Sequence, residues 1–186
     1  MSDRIVAGLV AAMGKIEGRV KLQKIVYLLE EMGYELGYDD YVFLLHGPYS
    51  EDLAADLDRA SGVLLRESRR PSGLFFAATG EQVMRYEYEP RDLELAKGLL
   101  KLLRSKFGGR SDQLVERIAE LNSITAPILE LVASAIYFRE REGVHDPEAI
   151  WQRVQREKEH LARHFARAQR QLLEWDKKGF FRAQTQ

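Results

Sequence analysis

The 186-residue chain has no cysteine, five prolines and two tryptophans. Without thiols, thiolate zinc sites, thiol catalysis and disulfide frameworks are excluded, which fits a reducing compartment. Long apolar runs are missing too. The longest stretches free of Asp, Glu, Lys and Arg are ten residues, as at 5–14, against the roughly 18 needed to span a bilayer. The start, Met1-Ser2-Asp3-Arg4, places an acid where a signal peptide wants base, so a cytoplasmic protein is expected. There is little net charge of either sign, with 28 Lys plus Arg against 29 Asp plus Glu. Nor does the chain hold a GxSxG elbow, a Walker-type phosphate loop or a GxGxxG after a strand; Gly108-Gly109 before Arg110-Ser111 reads as a helix-breaking loop. What the chain does have is 45 % apolar residues, enough for a core at a length that buries about 70 % of the unfolded surface.

The charge balance hides an asymmetry. Residues 1–90 carry 10 basic and 15 acidic side chains, and residues 91–186 carry 18 and 14. Together with Pro90, which restricts Glu89 and suits a helix start, this predicts two subdomains, 1–89 and 90–186. In the first, apolar residues at helical spacing predict helices from Ser2 to Gly14 and over 19–32, the second ending at Gly33. The run Tyr41-Val42-Phe43-Leu44-Leu45 predicts a short buried strand, His46-Gly47-Pro48-Tyr49 a turn, and Ser50 the cap of a third helix ending near Gly62. A hairpin is expected with strands at 63–67 and 74–78 around Arg69-Arg70-Pro71-Ser72-Gly73, and Thr79 with Gln82 suggests a short helix after it. The fold class is therefore mainly α: a winged-helix-like N-terminal subdomain with a small β-hairpin, then an all-helical C-terminal subdomain. The latter should hold helices over 91–107, 112–121 and 126–139. It should end in one long helix from Pro147, capped by Asp146, with Ile150, Val154, Leu161, Phe165, Ala168, Leu172 and Trp175 in register.

Few residues point to chemistry. His46 with Ser50, and the pair Asp39-Asp40, carry nothing beyond residue type, so no catalytic residue and no cofactor is assigned. Gln23 and Tyr27, four apart and off the apolar stripe, have two readings side by side: contact with each other or the following loop, or ordinary helix-surface positions. On the last helix Arg153, Arg156, Arg163, Arg167 and Arg170 form a basic band, suited either to phosphates or an acidic protein, or simply to solvent. Arg66, Arg69 and Arg70 in the hairpin are the other nucleic-acid candidates. The third helix faces outward with Glu51, Asp52, Asp56 and Asp58 against Arg59, and this acidic face opposes entry into a DNA groove.

The strings Lys21-Leu22-Gln23-Lys24-Ile25-Val26-Tyr27-Leu28-Leu29 and His46-Gly47-Pro48-Tyr49-Ser50-Glu51-Asp52-Leu53 resemble those of the YwgA-like family of bacterial and archaeal proteins. They are more distantly similar to the start of the SocA-like, or Panacea, antitoxin-associated domain. The resemblance covers about the first half of the chain. It implies a helical, winged-helix-like, non-enzymatic regulator or partner-binding protein. The expected function is thus a cytoplasmic regulatory or interaction module that binds a protein partner, the candidate residues being Gln23, Tyr27, His46, Tyr49, Asp52 and Asp56. The alternative is a winged-helix DNA-binding transcriptional regulator; any nucleic-acid binding by the hairpin arginines or the basic band is itself expected to be weak, salt-sensitive and indifferent to sequence. A homodimer through the C-terminal helix is compatible with either.

His160 and His164, one helical turn apart near Glu157, fall short of a metal site because no third good ligand accompanies them. Purified protein is expected to carry no stoichiometric transition metal. Elemental analysis finding about one zinc per chain, lost in His160→Ala/His164→Ala, would contradict this.

Overall fold

The computed structural model describes residues 2–75 and 79–181. It is mainly helical, with two small antiparallel sheets. Two compact units are present, each assembled from two separated stretches: 1–22 with 53–119, and 23–52 with 120–186. The division therefore does not follow the single cut expected at 89/90. Helix α2 (Arg19–Glu31) starts in the first unit and continues in the second.

The first unit rests on α1 (Ser2–Met13), whose residues from Ile5 to Ala11 are all buried. It packs against α4 (Leu93–Phe107), which is capped by Asp92 accepting from the Leu95 N–H. The approach is close at Gly8, where a Cβ would stand 3.3 Å from the Leu99 carbonyl oxygen and 3.4 Å from Leu103 Cβ. A three-stranded sheet of order β1-β5-β4 completes the unit with β1 (Ile16–Glu17), β4 (Leu65–Phe75) and β5 (Gln82–Pro90). Arg19 ties these parts together. Its guanidinium meets the Tyr88 hydroxyl at 2.6 Å, Asp58 of α3 (Glu51–Ala60) at 2.7 Å and Glu67 of β4 at 3.3 Å.

Two local expectations change here. The segment 69–73 is not a turn but lies inside β4, because Pro71 is tolerated on an edge strand and the register irregularity between Pro71 and Phe75 absorbs it. The partner strand is β5, so Gln82 opens a strand where a helix after Thr79 was expected. Part of the expected strand at 74–78 lies outside the described residues. Strand β1, only two residues long, is too short to leave a sequence pattern.

The second unit is organised around α6 (Ala126–Glu140), in which every residue from Ile128 to Ile136 is buried, as is Phe138. On it pack α7 (Pro147–Glu157), α8 (Phe165–Lys177) and the hairpin of β2 (Val42–Leu44) with β3 (Gly47–Tyr49). Between α4 and α6 run a 3-10 turn, Gly108–Arg110, and α5 (Ser111–Ser123), which passes from the first unit into the second. Strand β2 is exposed rather than buried. In a strand neighbouring side chains point to opposite faces: Phe43 turns inward onto Tyr137 and Phe138, at 5.4 and 4.8 Å between ring centroids, while Val42 and Leu44 face out.

The single long terminal helix is also corrected. It breaks at Lys158, whose backbone is non-helical (φ −127°, ψ 34°), and a 3-10 segment, Glu159–His164, separates α7 from α8. No glycine or proline lies between Pro147 and Gly179, so local propensity does not cause the break; it falls on a lysine with a buried ammonium. The stripe still packs within its own unit. Ile150, Val154, Ala168, Leu172 and Trp175 are buried, whereas Leu161 and Phe165 beside the break are only half-buried. Among the described residues no single helix is long and apolar enough to cross a membrane.

Leu172→Ala is expected to cost about 2–5 kcal/mol, as for other buried Leu truncations, and half-buried Phe165→Ala distinctly less. Urea denaturation of both variants checks the order; equal losses would place Phe165 in the core.

Candidate functional site

Helix α2 presents Gln23, Lys24 and Tyr27 on one side, as positions i, i+1 and i+4 do, and each holds part of the segment 41–50. The Gln23 carboxamide closes a double hydrogen bond on the Ser50 backbone. Its Nε2 donates to the Ser50 carbonyl at 2.8 Å, and the Ser50 N–H donates to Oε1 at 2.9 Å. Lys24 Nζ donates to the Pro48 carbonyl. Tyr27 meets Tyr41 edge to face, 4.9 Å between ring centroids. At the start of α3, the Asp52 N–H donates to Asp40 Oδ2 at 3.1 Å, so a loop carboxylate supplies an acceptor that the helix terminus lacks.

From the other side α6 supplies Glu130 and Ser134, one turn apart. Lys158 enters where α7 ends, its Nζ donating to the Leu45 carbonyl and lying 3.1 Å from Glu130 Oε1. The His46 imidazole, 55 % exposed, brings Nδ1 to 3.5 Å from Glu130 Oε2. The turn lies so close to α6 that only glycine fits at 47. Its φ is +84°, and a Cβ would stand 2.9 Å from Ser134 Oγ and 3.4 Å from Lys24 Cε. Ser134 Oγ in turn donates to the Glu130 carbonyl at 2.7 Å.

Lys24 and Lys158 are each 1 % exposed and Glu130 is 6 % exposed. Two lysine amines and one carboxylate are therefore buried together, the carboxylate paired with Lys158. An isolated buried ammonium costs several kcal/mol. Desolvation pulls Lys24 down to about 7; Glu130 opposes that shift and the neighbouring charge of Lys158 adds to it. The Phe43 ring, 5.0 Å from Lys158 Nζ, offers a second, weaker stabilisation of that cation.

The residues nominated from sequence fall into two groups. Gln23 and Tyr27 are buried and hold the following loop, so of the two readings the loop contact applies. Asp56 is buried too, against expectation. The N-terminus of α1 reaches it, Ser2 Oγ donating at 2.9 Å, and Arg59 pairs with it. His46, Tyr49 and Asp52 retain exposed surface. In the hairpin, Arg66, Arg69 and Arg70 pair with Glu89 at 3.4 Å, Glu67 at 2.9 Å and Glu87 at 3.5 Å. Arg153 pairs with Glu142 and lies over the Phe138 ring at 4.3 Å. Arg156, Arg163, Arg167 and Arg170 are exposed but distributed over α7, the 3-10 segment and α8, so the continuous band dissolves. The 3-10 winding also separates His160 from His164. Residues four apart diverge by roughly 120° at three residues per turn, rather than sharing a face. Among the described residues no group of three or more His, Asp or Glu is placed to hold a metal.

Lys24, Glu130, Ser134 and Lys158 were not singled out from sequence, yet signals existed. Glu130 is the lone charge between Ala126 and Phe138. Lys158 stands four residues after Val154, on the apolar stripe, and Lys24 is flanked by Leu22, Ile25 and Val26.

No protein-family model matches the chain. Among curated proteins, one from Bacillus subtilis (strain 168), described as uncharacterized protein YwgA, is 29 % identical over 140 residues. The match covers 73 % of this chain and 71 % of that protein.

Glu130→Gln removes the carboxylate paired with Lys158 and the negative charge that favours the Lys24 ammonium, and is expected to cost about 3–5 kcal/mol, as when one partner of a buried pair is lost. Glu130→Gln combined with Lys158→Met should recover part of it. Thermal unfolding of the two variants measures this, and a double variant less stable than the single one would contradict the pairing.

Proposed function

The similarity supports a YwgA-like family for the chain, and from that premise and the geometry of the turn we propose a non-enzymatic, cytoplasmic regulatory module that binds a protein partner through its β2–β3 hairpin. One observation carries the reading. Val42, Leu44 and Leu45 are 47, 48 and 74 % exposed, on a segment whose backbone is gripped at Leu45, Pro48 and Ser50 by buried side chains. Adjacent exposed aliphatics mark an interaction surface, and a segment already held in one conformation loses less entropy on docking. His46 and the half-exposed Tyr49 add polar groups beside them. The burial of Lys24 and Lys158 beneath the turn keeps both amines from a substrate, which favours binding over catalysis.

A second reading, a winged-helix DNA-binding transcriptional regulator, draws support from the order of α1, β1, α2, α3, β4 and β5 and from the sheet order β1-β5-β4. Charge opposes it. The hairpin arginines are neutralised by Glu67, Glu87 and Glu89, and α3 exposes Glu51, Asp52 and Asp58. Affinity for phosphates comes from cations free to displace counterions.

Cross-linking in the native host, mapped by mass spectrometry, is expected to join residues 42–49 to one protein. Leu44→Asp/Leu45→Asp should abolish that adduct while changing stability by no more than about 0.5 kcal/mol, as exposed substitutions do. An unchanged adduct refutes the hairpin surface. DNA retardation that persists at physiological salt and vanishes in Arg69→Ala/Arg70→Ala would favour the second reading.

A further inference from the structure

Within the second unit the turn at residues 45–48 lies directly over two ammonium groups. Leu45 and Pro48 offer their carbonyls to Lys158 and Lys24, and the Gly47 backbone sits against Lys24 Cε and Ser134 Oγ. The turn is thus part of the covering that keeps Lys24 from water. The charged groups acting on Lys24 are Glu130 of α6 and Lys158 at the end of α7. His46, from the turn itself, is presented to the same Glu130. With both lysines protonated, the cluster keeps a positive charge that one carboxylate does not cancel. The covering itself is slight: β2 and β3 are three residues each and pair with one another, and Leu44, Leu45 and His46 face outward.

We propose that this turn is a proton-linked latch: closing it over Lys24 releases a proton, and protonation of Lys24 favours lifting it. Closed, burial holds Lys24 at about 7; lifted, the amine returns to water and toward its ordinary 10.5. Between these values the lifted state binds more protons. The latch therefore closes more firmly as the pH rises from about 7 toward about 10, and is loosest at and below 7. What the latch serves rests on the partner-binding reading, since lifting would move Val42, Leu44 and Leu45 away from their fixed arrangement. The proton linkage does not depend on that reading.

The test uses the full chain: an NMR titration of the lysine Cε–Hε resonances, with native-state hydrogen exchange of the amides at 42–49, corrected for intrinsic rate. Lys24 should titrate well below its ordinary value of 10.5. Opening of the turn should fall on the order of tenfold or more between about pH 7 and about pH 9. Lys24→Arg, charged throughout this range, should show no such fall. A Lys24 midpoint near the ordinary value of 10.5, or wild-type exchange that is flat across the range, overturns the latch; both measurements stand on the wild type alone if Lys24→Arg does not fold. A proton-linked turn in a protein whose Leu44→Asp/Leu45→Asp variant keeps its adduct would sink the partner reading and leave the latch. Loss of the adduct with flat exchange would do the reverse.

Discussion

Two lysine amines and one carboxylate, all buried in the second unit, set the constraint around which that unit is arranged. Charges cannot be left dry without partners, and each neighbour of the cluster answers that need. The carbonyls of Leu45 and Pro48 turn inward to accept, Glu130 is the one charge on an otherwise apolar stretch of α6, and the helical run from Pro147 departs from α-geometry where Lys158 reaches inward. The same constraint explains a glycine at 47, because the turn must come within contact of Ser134 and Lys24 to place those carbonyls.

The cluster also accounts for the two sequence strings that occur together. Gln23, Lys24 and Tyr27 from one string hold Ser50, Pro48 and Tyr41 in or next to the other. The strings are the two halves of a clamp, so their most distinctive residues are interior ones. What the clamp presents is the strand it immobilises, and the exposed aliphatics there come from Val42, Leu44 and Leu45 rather than from the motif residues themselves. Function, in the reading proposed here, belongs to the surface that the buried chemistry makes rigid.

The first unit solves a different electrostatic problem. Its hairpin carries arginines that a linear reading nominates for phosphate binding, yet carboxylates pair with them, Glu67 from the same strand and Glu87 and Glu89 from the neighbouring one. β4 and β5 pair in a register that sets Arg66 against Glu89 and Arg70 against Arg85, with Glu87 two residues along. Exposed ion pairs of this kind add little stability, but they remove the free positive charge on which nucleic-acid affinity depends.

Sequence alone determined most of the helices and many of their ends, because periodic apolar residues and caps such as Asp146 and Gly33 act over a few neighbouring positions. Whether Gln23 faced solvent or a loop, whether Arg69-Arg70-Pro71-Ser72-Gly73 turned or continued a strand, and whether the terminal helix ran unbroken were decided by the tertiary structure. Each depends on a partner far along the chain: Ser50 for Gln23, β5 for β4, Glu130 and Leu45 for Lys158. Glu130, Lys24 and Lys158 left a trace as charges in apolar surroundings. That trace marks burial, but not which charges meet, since local patterning carries side-chain direction whereas pairing of buried charges is a property of the packed interior.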